Sequence, residues 1–530
     1  MAAAGVNYPV GADGKTSTVR TGKNIIAAAL DAVDEVAANS VRQEKEWHGS
    51  GYVKHIANTL VCGLRGANDT LRIAQAGLDY AYSHFRFVDK NTGTTTNLHD
   101  AISSQVSPTR VFKTSVIHGT RRKEKGAFAV PRQGRVLQGA ALLKQLKIWE
   151  DTGVAEPSAC QGVRNMLQKE SNYCHQLENH LFVVMGAGAA MGPFEVLLDL
   201  GLNVVAIDLD RQPIWTRLKE KAVNSPGTLF FPTSSNGNEP NIDGCNLLTD
   251  FPAVAHWLAF LMPGYSMTIG NYAYMDGKNF VKIVLAMDCI SSYVLREREV
   301  VDPGERRTSL AYLCSPTDVF MWPKEAYAAA KRNFDQRGWV DRTSSAASFG
   351  RFCRSNAESN SIKVKDHRII ECFVTQQGPN YALAKRIQHW RALVARSEGF
   401  VVSSNVAPSS STKSVTSNTL LAAAYDGTSN FPPLEIFEPK TSNAVMTGML
   451  IDDICNPSSA ADPSNALSHP LYLFSFGAWH GGFWRSPYHL GSIVELAAVY
   501  GLLDQYKFAV SAAGLATSAA VAAYIGRSKL

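Results

Sequence analysis

Between Leu181 and Val406, apolar runs of strand length alternate with amphipathic stretches of helical period. The strand-like runs are 181–185, 204–207, 229–231, 266–272, 309–314, 369–375 and 400–406. Helical periodicity falls on 194–200, 279–295 and 381–396. It falls also on 250–260, opened by a capping Asp250, and on 324–334, which follows Pro323. Alternation of this kind predicts the α/β class: a doubly wound parallel sheet of about seven strands with helices on both faces. Residues 343–365 are Ser-rich and irregular and interrupt the alternation, so an insertion is expected near 337–366. Before the sheet, residues 1–175 read as mostly helical. Ile26, Leu30, Val33 and Val36 form one stripe over 24–39, 52–87 ends in the aromatics Tyr80, Tyr82, Phe85 and Phe87, and 136–152 is a further helix. This region is expected to cover one edge of the sheet or to dimerise. After Thr412 the pattern weakens into a C-terminal extension, 413–530, with helices over 420–425 and 444–454 and a Pro/Ser/Asn loop over 456–469. The sheet domain itself is placed at 176–412.

Composition narrows the classes. At 530 residues, two to four domains are expected, and 45% hydrophobic with 18% charged residues describes an ordinary globular chain. A net charge of +6 without a basic block excludes a nucleic-acid binder. The short cluster Arg121-Arg122-Lys123-Glu124-Lys125 reads as a solvated face rather than an anion site. Nine cysteines lie scattered without a C-x-x-C pair, so neither a metal site nor a disulfide scaffold is expected, and the compartment reads as reducing. Residues 1–20 have no apolar core of the secretory type. Ser528-Lys529-Leu530 matches the peroxisomal import address, which makes the import receptor a partner and the peroxisome, rather than the cytoplasm, the expected location. Residues 508–526 carry no charge and raise the question of membrane contact. Their Ala, Ser and Gly content favours a packed or interfacial helix instead.

The candidate chemistry begins at Gly186-Ala187-Gly188-Ala189-Ala190-Met191-Gly192, directly after the first apolar run. A strand, a glycine turn, a helix and a second strand ending in Asp208 follow in the order of a dinucleotide-binding unit. Gly186 would allow the tight turn, Gly188 the approach of a pyrophosphate to backbone N–H groups, and Gly192 close helix–sheet packing. Asp208 lies 22 residues after Gly186, where a carboxylate accepts hydrogen bonds from ribose hydroxyls. It favours NAD over NADP, against which Arg211 pulls.

Here the chain resembles the short-chain dehydrogenase/reductase family, over roughly 181–412. Gly186 and Gly192 match that family's glycine turn, with Ala190 in place of its middle glycine. The resemblance implies a Rossmann NAD(P)-binding sheet. It also implies a Tyr-x-x-x-Lys pair on a helix, a Ser about a dozen residues earlier and an Asn at the end of the preceding strand. Tyr327 and Lys331 fit, with Ser315 lying 12 residues upstream and Asn271 near the end of its strand. By resemblance, Tyr327 would be the acid/base, Lys331 would lower its pKa and hold the ribose, Ser315 would orient the substrate oxygen, and Asn271 would support a proton relay. Tyr381 and Lys385 form a rival pair. The strand 400–406 and Pro408 follow them as in the family, but no Ser precedes them at the expected spacing, Thr375 being the nearest hydroxyl. A third pair, Tyr274 and Lys278, is broken by Gly277 at a turn.

The expected function is therefore NAD(P)-dependent oxidation or reduction of a carbonyl, alcohol or enoyl small molecule, with a homo-oligomer as an expected form. A non-catalytic nucleotide-binding scaffold and an S-adenosylmethionine-dependent methyltransferase are the alternatives. Val184-Met185, where a methyltransferase carries an acid, count against the latter. The run 476–489 sets Phe476, Trp479, Phe483, Trp484 and Tyr488 among glycines. It can wall an apolar pocket or cap a core or interface.

Overall fold

In the strand His180–Met185, Leu181, Val183 and Met185 join one hydrophobic cluster while Phe182 and Val184 join the other. Successive side chains leave a strand on opposite sides. A run that is apolar at every position therefore belongs to a strand covered on both faces. The computed structural model describes residues 3–103, 111–122, 128–234, 242–301, 308–338, 343, 348–374 and 377–505. Its central sheet has eight strands: β1 Lys113–His118, β2 His180–Met185, β3 Asn203–Ile207, β4 Thr228–Ser234, β5 Ile242–Asp243, β6 Ser266–Asn271, β7 Thr308–Cys314 and β8 Val402–Val406. The spatial order is β5-β4-β3-β2-β6-β7-β8, with β1 also on β4. Every neighbour pair from β4 to β8 is parallel. Strands β1 and β5 run antiparallel to β4, so the sheet is mixed but largely parallel.

Helices flank both faces. On one lie α1 Ala67–His84, α5 Leu247–Ala259, α6 Lys278–Val301 and α8 Pro379–Ser397. On the other lie α2 Pro157–Gln176, α3 Phe194–Asp199, α4 Gln212–Val223 and α10 Pro439–Cys455. Three further helices, α7 Lys324–Asp335, α9 Thr419–Gly427 and α11 Val494–Gln505, lie outside these layers. Helix α8 is buried around its whole circumference, and its charges are paired accordingly. Arg386 Nη2 donates to Asp318 Oδ1 at 2.7 Å, and Arg391 forks onto Asp288 at 2.9 and 3.0 Å. The Tyr82 hydroxyl of α1 donates to the same Asp288 at 2.8 Å, which ties the N-terminal helices to the sheet.

Several expectations change. The run 369–375 forms His367–Glu371, but this strand pairs antiparallel with Val319–Met321 and Ser361–Val364 in a separate three-stranded sheet. The insertion therefore begins directly after β7, well before 337, because periodicity marks a strand without naming its partner. The single helices expected over 24–39 and 52–87 are each divided. Asp34 caps Glu35–Gln43 by accepting from Ala37 N, and Gly66 precedes α1. Helix α5 starts at Leu247 under an Asn246 cap, and Asp250 lies in its first turn. Strand β1 had no sequence signature because it is largely exposed; its backbone pairing to β4 alone makes it a strand. No helix of the described residues is long and apolar enough to cross a membrane. Residues 508–526 lie outside the description, as do Ser528-Lys529-Leu530, Thr375 and Lys123-Glu124-Lys125.

Candidate functional site

Strands β2 and β6 are adjacent, yet the chain leaves β2 toward β3 on one side and returns to β6 on the other. Loops at the carboxyl ends of strands part at such a reversal and leave a crevice. A cleft of about 1010 Å³ opens there, at the upper end of the range for small-molecule sites. Gly186, Gly188, Asp208, Asn271, Ser315, Tyr381 and Lys385 all line it. Gly192, Tyr327 and Lys331 do not border it.

The glycine turn is held from both sides. Gly186 has φ +89°, and a Cβ there would stand 2.6 Å from the Ala273 backbone, so the position needs glycine. Its N–H donates to Ile207 O at 2.8 Å. The Gly188 N–H donates to Asp208 Oδ2 at 2.7 Å, Leu209 N–H to Oδ1 at 2.7 Å, and Arg217 Nη2 to Gly188 O at 2.9 Å. Asp208 thus faces the turn rather than bulk water. A Cβ on Gly192 would meet nothing nearer than 3.5 Å, so the close packing expected of it is not the reason for glycine there. Asn443 of α10 donates to Gly192 O and steadies the outer end of the turn.

Ser315 follows β7, and Tyr381 and Lys385 stand one turn apart on α8, so the fold brings the Ser of one expected set to the Tyr-Lys pair of its rival. Burial pushes the Tyr381 phenol up to about 12, while a Ser315 hydrogen bond pulls it down. Burial lowers the Lys385 pKa against the raising effect of Cys314 and Asp318. Lys385 Nζ donates to Leu313 O at 2.9 Å and Gln388 Oε1 at 3.1 Å and lies 6.0 Å from the Tyr381 ring centre. Asn271 turns its amide onto Ile269 O at 3.4 Å and Ser291 Oγ at 3.3 Å. Tyr327 is held instead by Trp322, edge-on at 5.2 Å, and by the Arg368 guanidinium 4.1 Å above its ring, with Lys331 exposed beyond it.

Tyr274 also lines the cleft, with its hydroxyl on Asp276 at 2.9 Å. Of the aromatic run, Trp479 and Trp484 are fully buried in the core, and Phe483 reaches the cleft wall. Arg217, Gln388 and Asn443 had no local signature, since each acts through a contact made only in the folded chain. The position of Tyr381 did have one: its helix directly precedes β8 and Pro408. Compared with protein-family models, with curated proteins and with solved structures, the chain matches none.

Proposed function

We propose that this chain is an NAD(P)-dependent oxidoreductase of short-chain dehydrogenase type, with Tyr381 rather than Tyr327 as its acid/base. The observation that carries the reading is the convergence of Asn271, Ser315, Tyr381 and Lys385 on the cleft that the glycine turn and Asp208 also border. The six parallel strands β4-β3-β2-β6-β7-β8 support a Rossmann sheet, since that is its 3-2-1-4-5-6 order. The residues fit such a cofactor. An added Cβ on Gly188 would project to within 3.1 Å of Asp208 and into the cradle. Asp208 spends one lone pair on each of two backbone N–H groups and keeps others for ribose hydroxyls. Helix α3 is short, and the N–H groups of Gly186, Ala187, Gly188, Ala189 and Gly192 are bonded within the protein, so pyrophosphate contacts would fall to Ala190 and Met191, which also line the cleft.

Bound nicotinamide would supply or accept the hydride. Tyr381 would pass a proton to or from the substrate oxygen, which Ser315 would orient. The Lys385 ammonium would favour the phenolate against burial, which opposes it. Asn271 would support the proton relay.

Titration with NADH, NADPH and S-adenosylmethionine tests the reading. NADH is expected to bind best, because Asp208 repels a ribose phosphate; tighter binding of the methyl donor would overturn it. One observation favours a second reading, non-catalytic nucleotide binding: Lys385 spends hydrogen bonds on Leu313 O and Gln388, and Tyr381 stays strongly protonated. NADH binding without hydride transfer to any aldehyde or enoyl compound would support it.

A further inference from the structure

The cleft is chemically divided. Its charged lining residues, Asp208, Arg211, Asp276 and Lys385, belong to the loops after β3 and β6 and to α8. Among the described residues, none of those that line it from Ala407 onward is charged. This second wall, beyond β8, includes Leu421, Leu434, Ile436, Phe483, Ile493 and Val494. Two of its hydroxyls are bonded to backbone, Thr428 Oγ1 donating to Ala424 O at 2.7 Å and Ser410 Oγ to Pro408 O at 2.9 Å, and Ser409 and Tyr425 bond each other. An anionic group placed here would lose its hydration and find no cation.

We infer that the C-terminal extension forms a binding site for a neutral hydrocarbon chain, whose oxygen-bearing end faces Ser315 and Tyr381. The inference rests on the dehydrogenase reading for the placement of that end, but not for the binding of the chain. Calorimetric titration with n-alkanols from butanol to decanol tests it. Affinity is expected to rise about fourfold per added methylene until the wall is filled, and ω-hydroxycarboxylates of equal length are expected to bind worse. Ile436 and Val494 are half-buried on this wall. Ile436→Trp should flatten the long end of the series while butanol still binds, and Val494→Lys should reverse the preference toward the carboxylates. A flat series, no binding, or better binding of carboxylates by the unmodified protein overturns the inference. NADH titration of the same protein separates the two readings. Alkanol binding without NADH binding removes the dehydrogenase and leaves the chain site; NADH binding with a flat alkanol series does the reverse.

Discussion

Single residues in the turn differ sharply in what they tolerate. Gly186→Ala places a Cβ against backbone at a left-handed φ, so both strain and collision oppose it. It is expected to lower the melting temperature and abolish nucleotide binding, whereas Gly192→Ala, with ordinary contacts only, should change neither. Thermal melts with and without NADH distinguish them. The two tyrosines make a second pair. If Tyr381 is the proposed acid/base, Tyr381→Phe, which removes its hydroxyl and the Ser315 hydrogen bond to it, should cut hydride transfer by about 10²–10⁴-fold with nucleotide binding kept. Tyr327→Phe keeps the ring beneath Arg368 and should leave turnover within about twofold. Equal losses in both variants would return the catalytic role to neither.

Among elements, the wall of the cleft depends on how closely α9 and α11 cross. Cβ atoms on Gly427 and on Gly501 would each lie 1.9 Å from a carbonyl of the opposing helix, Ala497 O and Ala423 O. Gly427→Ala is therefore expected to push the helices apart at about 1–3 kcal/mol, read as a lower unfolding midpoint, with alkanol binding weakened in parallel. The element most changed between sequence and structure is the insertion. Residues 369–375 carry a sound strand signal, yet they serve a small antiparallel sheet, because the apolar face of a short strand is equally satisfied by either sheet. With that strand out of the central sheet, α8, which carries Tyr381, becomes the last helix of the crossover from β7 to β8. The twelve-residue Ser-to-Tyr spacing that pointed to Tyr327 counts residues along the insertion rather than across the cleft.

At the scale of the molecule, the N-terminal region and the C-terminal extension are bolted together at Glu156, one residue before α2. Its carboxylate takes a fork from Arg485, at 2.9 and 2.8 Å, and a His480 contact at 3.0 Å. Burial alone would raise its pKa, but these partners overrule it and hold the carboxyl down at about 2. A depressed carboxylate contributes stability above its ordinary value of 4.5, and that contribution fades as pH falls through about 2. Arg485→Met strands a buried charge and should cost about 3–5 kcal/mol at neutral pH. It should also make the acid limb of unfolding shallower, because a carboxyl no longer held down loses no stability as pH falls from 4.5 to about 2. Denaturant unfolding across the acid range measures both, and an unchanged limb would show that the pair contributes nothing.

Local pattern determined a good deal: which stretches extend or coil, that β2 is covered on both faces, and that a glycine turn and Asp208 stand at the ends of neighbouring strands. These follow from periods of two and of 3.6 and from glycine's freedom at positive φ, all properties of a few adjacent residues. Tertiary structure alone decided that β1 joins the sheet, that 369–375 leaves it, and that Ser315 serves Tyr381 across 66 residues of chain. Those choices turn on which surfaces meet once the chain closes on itself, and no run of neighbouring side chains records that.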